Sequence, residues 1–229
     1  MSKPLAIIQA RHGSKRFPNK VDELIGEHTM WYQVLKRVDM AVNALMAWPE
    51  NYPKLDENDV LGRYQATVRE YSFPDPDPII RITADCPLIE PRHILWVLGI
   101  YAHKKIPVLT SPAWDGFDVE VFSQATLMAI NPRDDDDREH VTPALRRGLY
   151  YEVPLDPPIH WSVNVPDDLG FVREVYQSCR YCATAVPHHT NAAASIGGWD
   201  RHPIWDLHQV DDGGLVECTA YDVLKGRIG

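Results

Sequence analysis

Apolar positions along the chain fall into two kinds of pattern, short runs and helically spaced sets. The run from Leu5 to Ile8 predicts a buried strand, and similar patterns recur downstream. The strands predicted in this way cover 5–8, 79–83, 108–110, 117–122, 150–153 and 160–165, with a short one at 44–48. Helical spacing predicts helices over 30–38, 59–71, 91–103, 137–147 and 166–176. Because strands and helices alternate, we expect an α/β three-layer sandwich with a mostly parallel sheet.

The periodic pattern fades after residue 178, which suggests a division of the chain. We predict one α/β domain over residues 1–178 and a C-terminal appendage over 179–229. The appendage combines many Gly, His and Asp residues with weak periodicity. Its sequence leaves open whether it packs against the domain or forms a small substructure.

Charge and composition exclude several classes of function. The chain has 23 Lys and Arg against 32 Asp and Glu, a formal net charge of −9, which argues against broad binding of nucleic acid or anionic membranes. We find no apolar run of about 18 residues, and therefore expect no transmembrane helix. With four Cys and no signal peptide before the first strand, we expect a cytoplasmic protein.

The loop after the first predicted strand concentrates positive charge in this acidic chain. No acidic residue precedes Asp22. Glycine, a hydroxyl group and cationic side chains after a strand suit a polyphosphate, because backbone N–H groups and cations both contact its oxygens. The residues that carry this pattern are Arg11, Gly13, Ser14, Lys15, Arg16 and Lys20. A basic surface loop is the alternative interpretation.

Three sets of acidic residues are further candidates for chemistry. Asp85 follows the predicted strand 79–83, at the sheet edge where ligands bind, and either binds Mg²⁺ or caps the turn before Pro87. The alternating segment 115–122, DGFDVEVF, predicts a half-exposed strand with Asp118 and Glu120 on one face. These two bind a substrate or belong to an ordinary solvated face. The acidic run 134–137 is interpreted as a solvated helix N-terminus.

Several strings resemble the CMP-sugar synthetases, which include the cytidylyltransferases for sialic acid and Kdo. The spore-coat polysaccharide cytidylyltransferase-like group looks most similar. The resemblance covers about residues 4–178 and rests on separate strings in matching order. They are IIQARHGSKRFPNK (7–20), RITADCPLIEP (81–91), DGFDVEVF (115–122), REHVTP (138–143) and WSVNVPDDLGFVREVY (161–176).

The resemblance implies a Rossmann-like sheet of the nucleotidyltransferase type and a reaction that joins CTP to a sugar acid or related sugar, releasing pyrophosphate. It also implies Mg²⁺, with Mn²⁺ as an alternative, and a homodimer. The expected catalytic residues are Arg11, Arg16, Lys20 and Asp85. The expected nucleotide-binding residues are Ala10, Arg11, Gly13, Ser14, Lys15, Arg16, Lys20 and Arg81. The sugar is expected at Asp118, Glu120, Glu139 and His140, and the metal at Asp85 and Asn164.

The chain departs from the family pattern in two places. Asn164 stands where the family has an aspartate that ligates the metal, and a neutral amide oxygen should bind Mg²⁺ more weakly. The segment between about 39 and 58 is shorter than in relatives. The part that is missing here helps to shape the nucleotide pocket in those relatives. Both departures leave open a catalytically impaired homologue that binds nucleotide or sugar.

Two further patterns are weaker. Cys179 and Cys182, with His188 or His189, have zinc-like spacing, but we expect no zinc because a single C-x-x-C is a weak signal and adjacent histidines rarely share one ion. The Asp75-x-Asp77 motif fits the letters of a glycosyltransferase metal site. It precedes a strand instead of following one, so we rank that function third.

Overall fold

The computed structural model describes residues 3–71, 76–111, 114–152 and 159–178. The strands are β1 (Leu5–Gln9), β2 (Leu24–Ile25), β3 (His28–Thr29), β4 (Asn43–Ala47), β5 (Ile79–Thr83), β6 (Val108–Thr110), β7 (Trp114–Asp115), β8 (Glu120–Phe122), β9 (Tyr150–Glu152) and β10 (Ile159–His160). The α-helices are α1 (Met30–Asp39), α2 (Val60–Glu70), α3 (Pro91–Lys104), α4 (Gln124–Ala129), α5 (Asp135–His140), α6 (Thr142–Leu145) and α7 (Pro166–Ser178). Short 3₁₀ helices cover Lys20–Asp22 and Pro49–Asn51.

Six strands form the central sheet, in the order β4-β1-β5-β8-β6-β9. β1 pairs in parallel with both β4 and β5, and β6 pairs in parallel with β9. β8 is antiparallel to both of its neighbours. The mostly parallel sheet is therefore confirmed. The carboxyl ends of β1, β4 and β5 lie together along one side of the sheet, which is called the carboxyl edge below.

Apolar cores on both faces of the sheet confirm the three-layer sandwich. Alternate residues of β1 point to opposite faces, so the strand is apolar throughout. Ile8 packs in one core with residues of α1, α3 and α7, and Ile7 packs in the other with residues of α2, α4 and α6. Within the described ranges, no helix has the length and hydropathy needed to cross a membrane.

The prediction of one continuous helix over 137–147 was wrong. The structure has α5 and α6 instead, separated at Val141, which has a φ of 58°. Pro143 lies in the first turn of α6 and has no N–H to continue the hydrogen-bond ladder of α5. The buried side chain of Val141 holds this uncommon backbone conformation against the core of the α2 face.

Two strand predictions also need correction. The segment 117–122 is regular only at Glu120–Phe122, and this strand is central and buried rather than half-exposed. The predicted strand over 160–165 is reduced to β10, which pairs with β7 outside the main sheet. Residues 161–165 instead run as irregular chain toward the start of α7, because their hydrogen bonds go to neighbouring loops.

A close backbone approach at Gly116 fixes the course of residues 161–165. Gly116 has a φ of +98°, and a Cβ added there would lie 2.5 Å from the carbonyl carbon of Trp161. The N–H of Trp161 donates to the carbonyl of Asp115 at 2.7 Å, and its ring contacts Phe117 at 5.1 Å between centroids. Only glycine fits this position, and it thereby places the chain that leads to Asn164.

We predict that Gly116→Ala lowers the free energy of unfolding by at least about 2 kcal/mol, because the new methyl group meets backbone atoms and the positive φ is strained for alanine. Urea denaturation measures this change. Gly148→Ala is the matched control, since Gly148 has no atom within 4 Å of an added Cβ and no positive φ. Equal stability of the two variants would contradict the prediction.

Candidate functional site

The ammonium group of Lys20 joins three separate segments at the carboxyl edge of the sheet. Its Nζ donates to Oδ2 of Asp85 at 2.6 Å and to the carbonyl oxygen of Val163 at 2.6 Å. The N–H of Val163 in turn donates to the carbonyl of Asp85 at 2.8 Å. Lys20, the last residue of the cationic loop, is thus bonded to Asp85 after β5 and to the chain before α7.

The Lys20 contact keeps Asp85 ionised in a partly buried setting. Burial by itself raises the pKa of Asp85, but the positive charge and hydrogen bond of Lys20 outweigh it and hold the pKa below its ordinary value. The Lys20 side chain is 10% exposed and the Asp85 side chain 25% exposed. A carboxylate anion is therefore present at this edge at neutral pH.

Arg16 and Asn164 form a second link across the same edge. Arg16 Nη2 donates to Oδ1 of Asn164 at 3.0 Å, and Asn164 Nδ2 donates to Oγ of Ser162 at 2.6 Å. Asp168 Oδ2 accepts from the N–H groups of Asn164 and Val165 at the start of α7. Asp168 therefore fixes the backbone at Asn164, and Asn164 in turn orients the Arg16 guanidinium.

Arg11 lies on the other side of the loop, where it contacts the α2 and α5 regions. Its Nη1 lies 2.8 Å from Oε1 of Glu139 and donates to Oδ1 of Asn58 at 3.0 Å. Gly13 packs against the side chain of Glu57, whose Oε1 would lie 2.4 Å from an added Cβ. The Glu57 side chain thus approaches the loop closely at Gly13.

The remaining predicted loop residues differ in exposure. Ser14 Oγ accepts the N–H of Phe17 at 3.3 Å, so this hydroxyl group stabilises the turn of the loop. Lys15 is exposed, and Ala10 is buried at the end of β1. The structure brings Lys20 to Asp85 and Arg16 to Asn164, whereas Arg11, on the same loop, contacts Asn58 and Glu139.

Arg81 and Glu120 form a buried pair inside the sheet. Arg81 Nη1 donates to Oε2 of Glu120 at 3.0 Å, and Nη2 donates to Oε1 of Gln9 at 3.0 Å. Thr142 Oγ1 donates to the same Glu120 oxygen at 2.9 Å. Burial lowers the pKa of Arg81, but Glu120 and its other anionic neighbours raise it overall. Glu120 is 4% exposed, so the interpretation of a solvated strand face was wrong for this residue.

Asp118 lies beside this pair without such a strong cationic partner. Burial, together with the nearby carboxylates of Asp115, Asp85 and Glu120, raises the pKa of Asp118 to about 8, although Arg81 acts in the opposite direction. Asp118 is therefore largely a neutral carboxylic acid at pH 7. It can donate a hydrogen bond as well as accept one, which suits contact with hydroxyl or carboxylate groups of a ligand.

The two sugar-binding candidates on α5 lie at different places. Glu139 reaches the loop through its ion pair with Arg11. His140 is 58% exposed in its side chain and lies 3.7 Å from Oδ1 of Asp136, one helical turn away. The structure thus connects Glu139 to the loop, whereas His140 contacts Asp136 within α5.

Asp85 and Asn164 fit a divalent cation that prefers oxygen ligands. Both lie at the same edge, linked through Val163, and offer a carboxylate and an amide oxygen. Among the described residues, no group of three or more His, Cys, Asp or Glu is placed to hold a metal. Mg²⁺ commonly takes only one or two protein oxygens and completes its shell with water and substrate phosphates, so the small donor set suits it.

The sequence interpretation missed two contributors to this site. Arg63 on α2 is fully buried, donates from Nη1 to the carbonyl of Glu57, and has no hydrogen-bond partner for Nε or Nη2 among the described atoms. Burial and the charge of Arg11 act to lower the pKa of Arg63. Trp48, directly after β4, contacts the ring of His12 within the loop. The sequence signal that could have revealed Arg63 is its position on the apolar face of the predicted helix over 59–71.

The zinc candidates Cys179, Cys182, His188 and His189 lie outside the described residues, as does the whole 179–229 appendage. The domain boundary at 178 and the absence of zinc therefore stay predictions.

Comparison with known proteins agrees with the fold described above. A family model described as Cytidylyltransferase matches residues 5–43, which contain β1, the loop and α1. No curated protein matches the sequence. Among solved structures, a cytidylyltransferase from Leptospira borgpetersenii serovar Hardjo-bovis is 21% identical, covers 77% of this chain and 87% of its own, and has a TM-score of 0.69.

Two further solved structures share the architecture. CMP:2-keto-3-deoxy-manno-octonic acid synthetase complexed with CTP is 16% identical, covers 77% of this chain and 99% of its own, and has a TM-score of 0.54. The Rv0371C protein of Mycobacterium tuberculosis H37Rv complexed with manganese is 14% identical, covers 76% and 98%, and also has a TM-score of 0.54. These likenesses show that the chain has the nucleotidyltransferase type of α/β fold.

The raised pKa of Asp118 leads to a prediction about stability and pH. Between the ordinary pKa of 3.8 and about 8, the folded state binds more protons than the unfolded state, so this group's contribution to stability falls as pH rises. Asp118→Asn removes the titration. We expect the stability of the variant relative to the original protein to increase from pH 5 to pH 8.

Urea denaturation of both proteins at several pH values measures that difference. Asp167→Asn is a suitable control, because Asp167 is exposed at the start of α7. A difference for Asp118→Asn that stays constant from pH 5 to pH 8 would show that Asp118 titrates as an ordinary carboxyl group.

Proposed function

We propose that the protein is a nucleotidyltransferase that transfers CMP from CTP to a sugar acid or related sugar and releases pyrophosphate. The observation that carries this proposal is the convergence of Arg11, Arg16 and Lys20 on the sheet edge that holds Asp85. Three cations on one loop beside an ionised carboxylate suit a triphosphate together with a divalent cation.

The comparisons support the same class of reaction. The matching family model covers the segment that contains the cationic loop. A structure of the same fold is described as a CMP-sugar synthetase in complex with CTP. The choice of CTP and of a sugar acceptor for this chain rests on that support and on the motif resemblance.

In the proposed reaction, a hydroxyl oxygen of the sugar attacks the α-phosphorus of CTP and the bond from that phosphorus to the bridging oxygen breaks. The hydroxyl proton passes to solvent water and pyrophosphate leaves. Such transfers depend mainly on positioning and charge neutralisation. Arg11, Arg16 and Lys20 neutralise the triphosphate, with Ser14 and Lys15 as further contacts on the loop. Ala10 and Gly13 allow close approach of the loop backbone, and Arg81 supports the nucleotide side through Gln9.

Asp85 and Asn164 would hold Mg²⁺ or Mn²⁺, which supplies charge neutralisation at the phosphates when it is bound. Lys20 keeps the Asp85 carboxylate ionised for this role. Asn164 contributes only a neutral oxygen, and that oxygen also accepts from Arg16. The chain's own residues therefore orient a metal ligand on one side and a phosphate-binding guanidinium on the other.

The acceptor sugar is assigned to the region of Asp118, Glu120, Glu139 and His140. Asp118 is the group best suited to direct contact, because it is mostly protonated at pH 7 and does not repel the carboxylate of a sugar acid. Glu120 already accepts from Arg81 and Thr142, so it positions these side chains. Glu139 acts on the sugar side through its pair with Arg11.

The deciding experiment measures pyrophosphate release with Mg²⁺ or Mn²⁺, each of the four common nucleoside triphosphates, and a panel of sugar acids. Release that requires CTP and one sugar supports the proposal and names the acceptor. Release with another nucleotide would replace CTP as the donor. If the triphosphate binds but no pyrophosphate is released with any sugar of the panel, the result would favour the impaired homologue described below.

Lys20→Ala should lower turnover by roughly a hundredfold, because removing one charge-stabilising group at such a site costs about 3 kcal/mol of transition-state stabilisation. Steady-state pyrophosphate release measures the effect. Lys3→Ala is the control, since Lys3 is exposed at the opposite, amino-terminal edge of β1. Unchanged turnover in a folded Lys20→Ala variant would remove Lys20 from the mechanism.

A second candidate function is a binding protein on the same scaffold with impaired catalysis. The specific observation in its favour is Asn164, where an aspartate would give the metal a second charged ligand. This alternative predicts that CTP binds and no pyrophosphate is released.

Asn164→Asp distinguishes the two functions. We expect the variant to reach half-maximal turnover at a lower Mg²⁺ concentration, because a carboxylate binds Mg²⁺ more strongly than an amide oxygen. Activity gained only in the variant would identify the original protein as impaired. Asn58→Asp is the matched control, since Asn58 also accepts from a loop arginine but lies on the α2 side. An unchanged Mg²⁺ dependence would remove Asn164 from the metal site.

The glycosyltransferase alternative finds no support in the contacts of Asp77. Its Oδ1 accepts the N–H of Gln124 at 2.8 Å, at the first turn of α4. Asp77 also precedes β5 and so lies at the amino end of that strand, opposite the edge that holds Lys20. Asp75 lies outside the described residues. A nucleotide sugar offered as donor tests this function directly.

A further inference from the structure

An aromatic stack lies beside the cationic loop and is not used by the proposed mechanism. The imidazole ring of His12, within the loop, is parallel to the indole ring of Trp48, with centroids 5.0 Å apart and an interplanar angle of 11°. Trp31 and Trp48 lie in a T-shaped arrangement, with centroids 5.8 Å apart and an interplanar angle of 84°. His12 is also held by Asp22, whose Oδ2 lies 2.9 Å from Nδ1.

The topology places this stack at the ligand edge of the sheet. Trp48 directly follows β4, and the last residue of β4, Ala47, is in register with Gln9 of β1. The loop that carries His12 begins at Ala10, directly after β1. Two neighbouring parallel strands thus end together, one leading into the cations and the other into the indole.

The His12–Trp48 stack differs from the aromatic contacts of His93, which lie in the protein interior. His93 is fully buried, packs against Phe117, and shares a hydrogen bond of 2.9 Å with the carbonyl of Phe117, so its surroundings are closed. The His12 side chain is instead 41% exposed, and Trp48 is half-buried. Both rings of the stack are therefore partly exposed to solvent.

We propose that the His12–Trp48 stack is the subsite for the base of the nucleotide and that a pyrimidine ring joins it when the triphosphate binds the loop. This inference rests on the proposed function. Aromatic side chains hold bases through stacking on either face, and here the stack is only one residue along the chain from Arg11. It lies at the end of β4, in the shortened segment where this chain departs from its relatives, and so supplies a base contact there.

The test compares binding of CTP with binding of inorganic tripolyphosphate, which has the same charged groups without a base. Isothermal titration with Mg²⁺ gives both dissociation constants for the original protein and for Trp48→Leu. We expect Trp48→Leu to weaken CTP binding by about tenfold or more, as the loss of one base stack does, and to leave tripolyphosphate binding within about twofold. Trp48→Phe keeps an aromatic face and should retain most of the CTP affinity.

Tyr32→Leu is the matched control. Tyr32 belongs to the same aromatic group through Trp31, at 5.8 Å, but is one ring further from His12. It should leave both dissociation constants unchanged. The tripolyphosphate titration also reports whether each variant folds with a working loop.

Three outcomes would overturn the inference. Unchanged CTP affinity in Trp48→Leu would mean that the base lies elsewhere. Equal weakening of CTP and tripolyphosphate in Trp48→Leu and Trp48→Phe would mean that Trp48 only supports the loop. If the original protein binds neither ligand, the proposed function itself fails, which is a distinct result from the first two.

Discussion

The Lys20 ammonium group, held between the Asp85 carboxylate and the Val163 carbonyl, is the interaction on which the site depends. It joins the end of the loop after β1, the end of β5 and the irregular chain before α7. A buried ammonium needs several acceptors to offset its desolvation, and these two oxygens, both at 2.6 Å, provide them. The three segments therefore hold one another in place.

Charge balance explains the other contacts of the loop. Arg11 pairs with Glu139 and Arg16 donates to the amide oxygen of Asn164, so contacts within the protein orient both guanidinium groups. A triphosphate carries more negative charge than Glu139 or Asn164 and would therefore attract the guanidinium groups more strongly.

The anionic side of the site is organised by a different rule. Arg81 neutralises Glu120 inside the sheet, while Asp118 is left among carboxylates and takes up a proton near neutral pH. A sugar acid would thus meet a neutral acid at Asp118 and a cationic loop beyond it. Under the proposed function, these two halves of the site would take an anionic acceptor and an anionic donor side by side.

The sequence alone determined the alternation of strands and helices, the cationic loop and the place of Asp85, because these follow from local periodicity and from residues adjacent to one strand. It failed where distant contacts decide the backbone. Val141 breaks the expected helix, and β8 is buried because β5 and β6 flank it. Only the tertiary structure pairs Lys20 with Val163 and His12 with Trp48, since residues far apart in the chain meet through the sheet order and leave no periodic signal.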